Sequence, residues 1–244
     1  MPTRLLIALS LWVFFVPRSF AIPGDADRTP VAVTADIKLI EGNSRTRVKD
    51  ASDVVMWLVP EQSTGEISGG HSQMKRRYRM LQHDKTFEPN LLVVPLGSVV
   101  DFPNLDPWFH NVFSLYQGKR FDLGLYQAGA EKQVVFDRPG PSFLFCNIHP
   151  QMMAVILAVN SDFFGISDRA GHILISGVPI GRYVIHLWYE KASSEFNDSF
   201  ARIVDIGPAG TTLPIVTIPV IKRDSSHKDK YGYDYDPKGT TPAY

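Results

Sequence analysis

The sequence predicts an all-β protein, with a Greek-key sandwich followed by a small second β-sandwich. Short segments rich in Val, Ile, Leu and Phe alternate with Gly, Pro, Asn and Asp, which is the pattern of strands and turns. The 244 residues include 18 glycines and 18 prolines, and the sequence contains no amphipathic helix of convincing length. The chain is longer than one ordinary domain, and its strand pattern divides near residue 160.

The first 21 residues have the layout of a secretory signal peptide. Arg4 precedes an apolar run from Leu5 to Val16, and the small residues Ser19 and Ala21 follow it, so we expect cleavage after Ala21. The apolar run is shorter than the ~20 residues that cross a bilayer, and an uncleaved anchor stays open as the alternative. We therefore expect a periplasmic or otherwise exported protein.

The first predicted domain spans residues 31–160 and contains about nine short strands, the number typical of a Greek-key sandwich. Within SFLFC, alternation places Phe143 and Phe145 on one face and Leu144 and Cys146 on the other. The predicted strands are Ala32–Leu39, Asp53–Val59, Arg77–Gln82, Leu91–Val94, Ser98–Phe102, Val112–Ser114, Gln133–Phe136, Ser142–Cys146 and Val155–Val159.

The second predicted domain spans residues 162–223. Strands Ile173–Ser176 and Tyr183–Trp188 flank the turn Val178-Pro179-Ile180-Gly181, so we expect a small separate sandwich. The tail, residues 224–244, has almost no aliphatic side chains and is predicted to be disordered.

The charge balance argues against a nucleic-acid-binding protein. The chain has 25 basic and 25 acidic residues, and loss of Arg4 and Arg18 with the signal peptide leaves the mature chain slightly acidic. A nucleic-acid surface needs a strongly basic face. Four clustered basic residues are interpreted as a solvated loop or strand edge, with partner steering as the alternative: Lys75, Arg76, Arg77 and Arg79.

The only cysteine lies in the segment FCNIHPQMMA, residues 145–154. A lone thiol in an oxidising compartment cannot form an internal disulfide, so we expect Cys146 to be buried or bound to a metal. A thiolate, imidazoles and a thioether together favour copper, because two His and one Cys with a weak axial Met form an electron-transfer site. The segment supplies Cys146, His149 and one of two methionines, Met152 or Met153.

A second histidine has to come from elsewhere in the fold. His110 is the candidate, since it follows a turn-rich loop and begins another predicted strand, and loops cluster at the ends of a sandwich. The other five histidines are assigned structural or solvent roles: His71, His83, His172, His186 and His227.

The motifs around these residues resemble those of the cupredoxins, the small blue copper proteins, and the ligand loop is most similar to that of amicyanin. The matching pieces are Phe87-Glu88-Pro89, Val94-Pro95-Leu96-Gly97-Ser98, Phe102-Pro103-Asn104-Leu105-Asp106, His110-Asn111-Val112 and Cys146-Asn147-Ile148-His149-Pro150-Gln151-Met152. The resemblance covers residues 80–160 closely and 31–60 loosely. Residues 162–190 separately resemble a carboxypeptidase-regulatory-like β-domain, and the whole is similar to periplasmic methylamine-utilisation-type proteins with a cupredoxin domain.

The resemblance implies a set of copper ligands. His110, Cys146 and His149 would be the strong ligands and Met152 the axial one, with Met153 as the competitor. Asn111 would brace the ligand loop near the Cys146 sulfur, as outer hydrogen bonds do at metal sites. The alternative for Asn111 is an ordinary turn residue. Proline limits backbone motion, so Pro150 would stiffen the loop.

A site with four protein ligands has no open position for substrate, so we expect a one-electron carrier and not an enzyme. By the resemblance, the partner would be a c-type cytochrome or a dehydrogenase; no small-molecule substrate is expected. Trp108, Phe109 and Pro150 could form an apolar contact patch, although Trp108 and Phe109 could equally be core. The alternative function is a copper-binding scaffold or partner-docking protein without physiological electron transfer.

Acid–base catalysis is not expected from the carboxylates near the motif. The spacing of Asp101, Asp106 and Asp122 indicates turns and a salt bridge, for instance between Asp122 and Arg120.

Overall fold

A computed structural model describes residues 29–42, 46–61, 76–115, 117–221 and 228–234. The predicted signal peptide, Lys75, His71 and His227 lie outside these residues. Within them, strands dominate and the all-β prediction is confirmed. None of the helices in this part of the chain is long and apolar enough to cross a membrane.

The described residues form eighteen strands and one short helix. The strands before residue 104 are β1 (Val31–Glu41), β2 (Val55–Pro60), β3 (Arg77–Arg79), β4 (Leu81–His83), β5 (Thr86–Glu88), β6 (Leu91–Pro95) and β7 (Val99–Pro103). Those up to residue 159 are β8 (His110–Ser114), β9 (Phe121–Tyr126), β10 (Glu131–Val135), β11 (Gly140–Phe145) and β12 (Met153–Val159). The remainder are β13 (Phe164–Ile166), β14 (His172–Val178), β15 (Gly181–Trp188), α1 (Ser194–Ser199), β16 (Ala201–Ile206), β17 (Thr211–Thr212) and β18 (Val216–Val220).

Strands β3 to β12 form one β-sandwich, here called the central sandwich. A five-stranded sheet with the order β6-β12-β11-β8-β9 faces a three-stranded sheet with the order β10-β7-β3, and β4 and β5 form a hairpin. The core between them contains Phe102, Phe136, Leu144, Met152 and Ile156, all with no more than traces of exposed surface. The alternation predicted for SFLFC is present, since Leu144 and Cys146 face this core.

The remaining strands form a second unit, here called the outer sandwich. One sheet has the order β14-β1-β17 with β18 also on β1, and the other has the order β13-β2-β15-β16. We expected β1 and β2 to be the first strands of the copper-binding sandwich, but every ladder they form is with strands after residue 163. Alternation identifies the buried face of β1 correctly, with Val33, Ile37 and Leu39 inside. The alternation carries no information about which distant strands pair with β1.

Strand β12 has side chains buried on both faces. Ala154, Ile156 and Ala158 face the core of the central sandwich. The residues between them, Val155, Leu157 and Val159, pack with Val55, Val93 and Trp188 in a separate cluster that joins the two sandwiches. The outer sandwich therefore covers the face of the five-stranded sheet that points away from the central core.

Residues 228–234, expected within a disordered tail, form a compact turn, here called the C-terminal turn. The Asp229 Oδ1 accepts hydrogen bonds from the backbone N–H groups of Tyr231 (2.9 Å) and Tyr233 (2.8 Å). Gly232 has φ of 87°, a value that suits glycine. Composition missed this turn because an aspartate side chain can hold a turn without an apolar core.

Candidate metal centre

Three side chains from two neighbouring strands and one loop meet at one end of the central sandwich. His110 begins β8, Cys146 follows the last residue of β11, and His149 lies in the loop between β11 and β12. Strands β8 and β11 are antiparallel, with Phe113 opposite Phe145. His110 precedes Phe113 and the ligand loop follows Phe145, so the antiparallel pairing puts the first histidine beside the ligand loop. His110 and Cys146, which are 36 positions apart in the sequence, are therefore in direct contact.

The ring nitrogens and the sulfur face one another. The Nδ1 atoms of His110 and His149 are 3.1 Å apart, and the Cys146 Sγ lies 4.0 Å from the first and 3.7 Å from the second. The three ligand atoms lie within 4.8 Å of one another. His110 and Cys146 are fully buried, and His149 is partly exposed. This is one thiol and two imidazoles directed at a common point.

The spacing of these atoms fits a trigonal metal site. A metal ~2.0 Å from each imidazole nitrogen and ~2.3 Å from a thiolate, with angles near 120°, separates the two nitrogens by ~3.5 Å and each nitrogen from sulfur by ~3.7 Å. The observed separations scatter around these values. Two His and one Cys in a plane are the donor set of electron-transfer copper sites. The residues present therefore fit a copper ion.

Of the two methionines, Met152 is the one whose side chain lies in the core beside Cys146. Met152 is fully buried and packs in the same core as Cys146. Met153 begins β12 and is partly exposed, and alternation puts its side chain on the same face as Val155. The loop is closed by hydrogen bonds from the Met152 N–H to the His149 carbonyl (3.0 Å) and from the Cys146 N–H to the Met152 carbonyl (3.2 Å).

Asp106 fixes the tautomer of His110, a role that the sequence analysis missed. The Asp106 Oδ2 lies 2.7 Å from the His110 Nε2, and both groups are buried. An Nε2–H that donates to this carboxylate leaves the Nδ1 lone pair free to bind a metal. The available signal is the four-residue spacing of Asp106 and His110, whereas the spacing of the three aspartates indicates only turns and a salt bridge.

Asp106 also holds the β4–β5 hairpin against the site. Its two carboxylate oxygens accept the backbone N–H groups of Asp84 (2.7 Å) and Lys85 (2.9 Å). Both turn residues have left-handed backbone, with φ of 51° and 55°, a conformation that is uncommon for residues other than glycine. Burial alone would raise the pKa of Asp106, but its hydrogen-bond donors outweigh that effect and hold the pKa below its usual range.

The protonation states at the site follow from burial. Burial raises the pKa of the Cys146 thiol, although the backbone N–H groups of Asn111, Ile148 and His149 act in the opposite direction. Burial is the main cause that lowers the pKa of His149 to about 4, and the neighbouring His110 and Lys85 side chains act in the same direction. At neutral pH the structure therefore has neutral His149 and a protonated thiol, and a metal ion has to displace the thiol proton to bind.

Asn111 connects the site to the edge strand β9. Its backbone N–H points to the Cys146 sulfur, while its side-chain Nδ2 donates to the Asp122 Oδ1 at 2.8 Å. The second oxygen of Asp122 accepts from the Lys230 Nζ at 2.9 Å. The predicted salt bridge between Asp122 and Arg120 is therefore wrong, because Lys230 of the C-terminal turn takes that place.

An apolar surface adjoins the site. Trp108 is 43% exposed and Phe109 is 47% exposed, so of the two alternatives for these residues the core assignment is wrong. Pro150 is also exposed. The Lys85 ammonium lies 5.1 Å from the centre of the Trp108 ring and helps to lower the pKa of His149.

The remaining candidate residues that the structure describes lie outside the cluster. His83 pairs with Asp84, His172 pairs with Asp36, and His186 stacks on Trp57. Three arginines of the basic cluster form ion pairs with carboxylates: Arg76 with Asp162, Arg77 with Asp101 and Arg79 with Glu131.

No protein-family model and no curated protein matches the chain. Part of it is similar to a copper-containing nitrite reductase from Thermus scotoductus SA-01, at 24% identity and TM-score 0.34 over 35% of this chain and 23% of that one. It is also similar to a purple cupredoxin from Nitrosopumilus maritimus, at 21% identity and TM-score 0.31 over 34% of this chain and 99% of that one. A Cu(I) form of an amicyanin mutant has 16% identity and TM-score 0.32 over 34% of this chain and 82% of that one.

Proposed function

We propose that this protein binds one type 1 copper ion through His110, Cys146, His149 and Met152 and carries single electrons between exported redox partners. The observation that carries the proposal is the convergence of two imidazole Nδ1 atoms and one buried thiol within 4.8 Å. When bound, a type 1 copper ion supplies one-electron exchange between Cu(II) and Cu(I). Four protein ligands leave no open position for a substrate, so the proposed role is that of a carrier and not of an enzyme.

The residues around the site support a geometry that changes little during electron exchange. Asp106 holds the His110 ring through its Nε2, and three backbone N–H groups surround the Cys146 sulfur. Hydrogen bonds to a thiolate sulfur and burial of the ligands tune the potential of such sites. Proline fixes φ, and Pro150 therefore restricts the loop between His149 and Met152.

His149 is the proposed point of electron entry and exit, because it is the partly exposed member of the three-residue cluster. The exposed side chains of Trp108, Phe109 and Pro150 are the proposed contact surface for the partner. A small apolar surface suits the short-lived encounters of redox proteins, which bury little area. By resemblance to the cupredoxins, the partner is a c-type cytochrome or a dehydrogenase.

Titration of the mature protein with Cu(II) tests the proposal. We expect one equivalent to bind and to produce an intense visible band from charge transfer between the thiolate and copper. A protein that stays colourless with one equivalent of copper would contradict a type 1 site. Voltammetry then separates the two functional hypotheses, since a fast reversible one-electron wave is expected of a carrier, and a sluggish response would favour the copper-binding scaffold.

A further inference from the structure

We infer that the C-terminal turn, residues 228–234, is a clamp on the ligand loop and that Lys230 is a positioning residue for the metal centre. The inference rests on the proposed copper function for its effect on the metal, but the contacts themselves belong to the metal-free protein.

Lys230 makes two polar contacts with the central sandwich. Its backbone N–H donates to the Asn147 Oδ1 at 3.0 Å, and its Nζ donates to the Asp122 Oδ2 at 2.9 Å. Its side chain is only 19% exposed, whereas lysine is usually among the most exposed residues. The ion pair raises the pKa of Lys230 and keeps it charged. One residue near the C-terminus is therefore ordered by contacts with two separate segments.

One contacted segment carries proposed ligands, and the other contacts the residue that follows a proposed ligand. Asn147 lies between Cys146 and His149, so its side chain belongs to the ligand loop itself. Asp122 accepts from the Asn111 Nδ2 at 2.8 Å, and Asn111 directly follows His110. The turn thus connects the segment that holds the first histidine to the loop that holds the cysteine and the second histidine.

The strands do not depend on the C-terminal turn. The last strand, β18, ends at Val220, and the turn is closed by the Asp229 side chain and by the hydrogen bond from the Gly232 N–H to the Asp229 carbonyl (3.0 Å). None of the strand ladders includes a residue of the turn. Its effect is therefore expected in the mobility of the ligand loop and in the environment of the Cys146 sulfur, where hydrogen bonding tunes a copper site.

Hydrogen exchange of the metal-free protein tests the clamp without reference to copper. We compare the full chain with Lys230→Ala and with a chain ending at residue 227. Amides 147–149 are expected to exchange about tenfold faster in both variants, because local opening becomes easier. Alkylation of Cys146 is expected to accelerate in parallel. Unchanged exchange in both variants would overturn the clamp.

Three controls separate the clamp from general destabilisation. A chain ending at Asp234 keeps the turn and is expected to behave as the full chain does. Lys230→Arg keeps a cation that can reach Asp122 and is expected to restore slow exchange. Lys38→Ala removes an exposed lysine from β1 of the outer sandwich and is expected to change nothing at residues 147–149. Equal acceleration in Lys38→Ala would count against a specific role for Lys230.

Copper loading tests the consequence for the metal. Lys230→Ala and the chain ending at 227 are expected to shift the reduction potential in the same direction, and these two variants and Asp122→Asn are expected to weaken copper binding by about tenfold. The double variant Lys230→Ala/Asp122→Asn should bind copper no more weakly than Asp122→Asn alone, because Asp122→Asn already removes the ion pair. Normal potentials and affinities in all of them would overturn the positioning role. If the full chain fails to bind copper, the proposed function fails instead.

Discussion

The central and outer sandwiches differ in what they bury. Among the described residues, nine buried polar or charged side chains lie in the central sandwich and one, Ser167, lies in the outer sandwich. The outer core is otherwise built from aliphatic and aromatic side chains such as Leu39, Leu58 and Ile185. Buried polar groups cost free energy unless they are paired. The concentration of buried polar groups in the central sandwich indicates that the chain retains them there for a purpose other than stability.

The two sandwiches also differ in how completely their buried polar atoms are hydrogen-bonded. Buried side-chain atoms without a hydrogen-bond partner among the described residues are the Gln82 Oε1, the Asn111 Oδ1 and the Ser114 Oγ, all in the central sandwich. Asn111 directly follows His110, so one of these three atoms belongs to a residue beside the candidate metal centre. The comparison therefore predicts that substitutions in the two sandwiches have different consequences, one affecting the metal and the other affecting folding.

The largest expected effect is the loss of the copper chromophore in Cys146→Ser. A hydroxyl does not replace a thiolate as a soft copper ligand, so the visible band is expected to disappear completely. Absorbance and electron paramagnetic resonance of the copper-loaded protein provide the measurement. A variant that keeps the band would show that the coloured site lies elsewhere.

In the outer sandwich, Leu58→Ala is expected to lower the free energy of unfolding by about 2–5 kcal/mol, because a fully buried leucine leaves a cavity. Leu58 has no exposed surface. Urea unfolding of the metal-free protein measures the loss, and the copper band of the folded variant should be unchanged. A folded Leu58→Ala protein with an altered copper band would show that the outer sandwich influences the metal site.

Asp106→Asn is expected to weaken copper binding by about 10–100-fold, as for other partners of ligand histidines. The two carboxylate oxygens of Asp106 accept hydrogen bonds from three donors. In Asp106→Asn an NH₂ group replaces one of these oxygens and therefore faces a donor. Competition with a copper chelator measures the affinity. Asp101→Asn is the matched control, since Asp101 is also buried in this sandwich but pairs with Arg77. Equal losses in the two variants would argue against a specific role for Asp106.

A smaller effect is expected from the methionines. Met152→Leu should shift the reduction potential, because a weak axial thioether tunes copper sites, and Met153→Leu should leave it within error. Voltammetry of the two variants makes the comparison. The opposite result would assign the axial position to Met153.

The smallest expected effect is on acid stability. Burial would raise the pKa of Asp122, but hydrogen bonds from Lys230, Gly124 and Asn111 outweigh it and lower the pKa below the ordinary value of 3.8. A lowered carboxyl pKa contributes stability that is fully present above pH 3.8 and is lost as the pH falls through the folded-state value. Unfolding free energies measured from pH 5 to pH 2.5 should therefore fall less steeply in Asp122→Asn than in the full chain. Parallel curves for the two proteins would show that Asp122 does not contribute to the loss of stability in acid.

Local patterns in the sequence predicted the strands and the chemistry of the ligand loop. The alternation in β11 identified the face of Cys146, and the lone thiol next to His149 indicated a metal. Pairings between distant segments could not be predicted in this way, since nothing in β1 identifies β14 or β18 as its neighbours. The contacts of Asp106 with His110 and of Lys230 with Asn147 were missed for the same reason, because each depends on how loops meet in three dimensions.

The pairing of β1 and β2 also has a consequence for the order of folding. The central sandwich is inserted between β2 and β13, which lie side by side, with the Leu58 N–H donating to the Phe163 carbonyl at 2.9 Å. All strands of the central sandwich are complete once residue 159 has emerged. Strand β2 has to wait for more than one hundred further residues, roughly 5–20 s at typical rates of synthesis. The middle of the chain can therefore fold before its beginning, which leaves the apolar strands β1 and β2 in need of protection until the C-terminal third arrives.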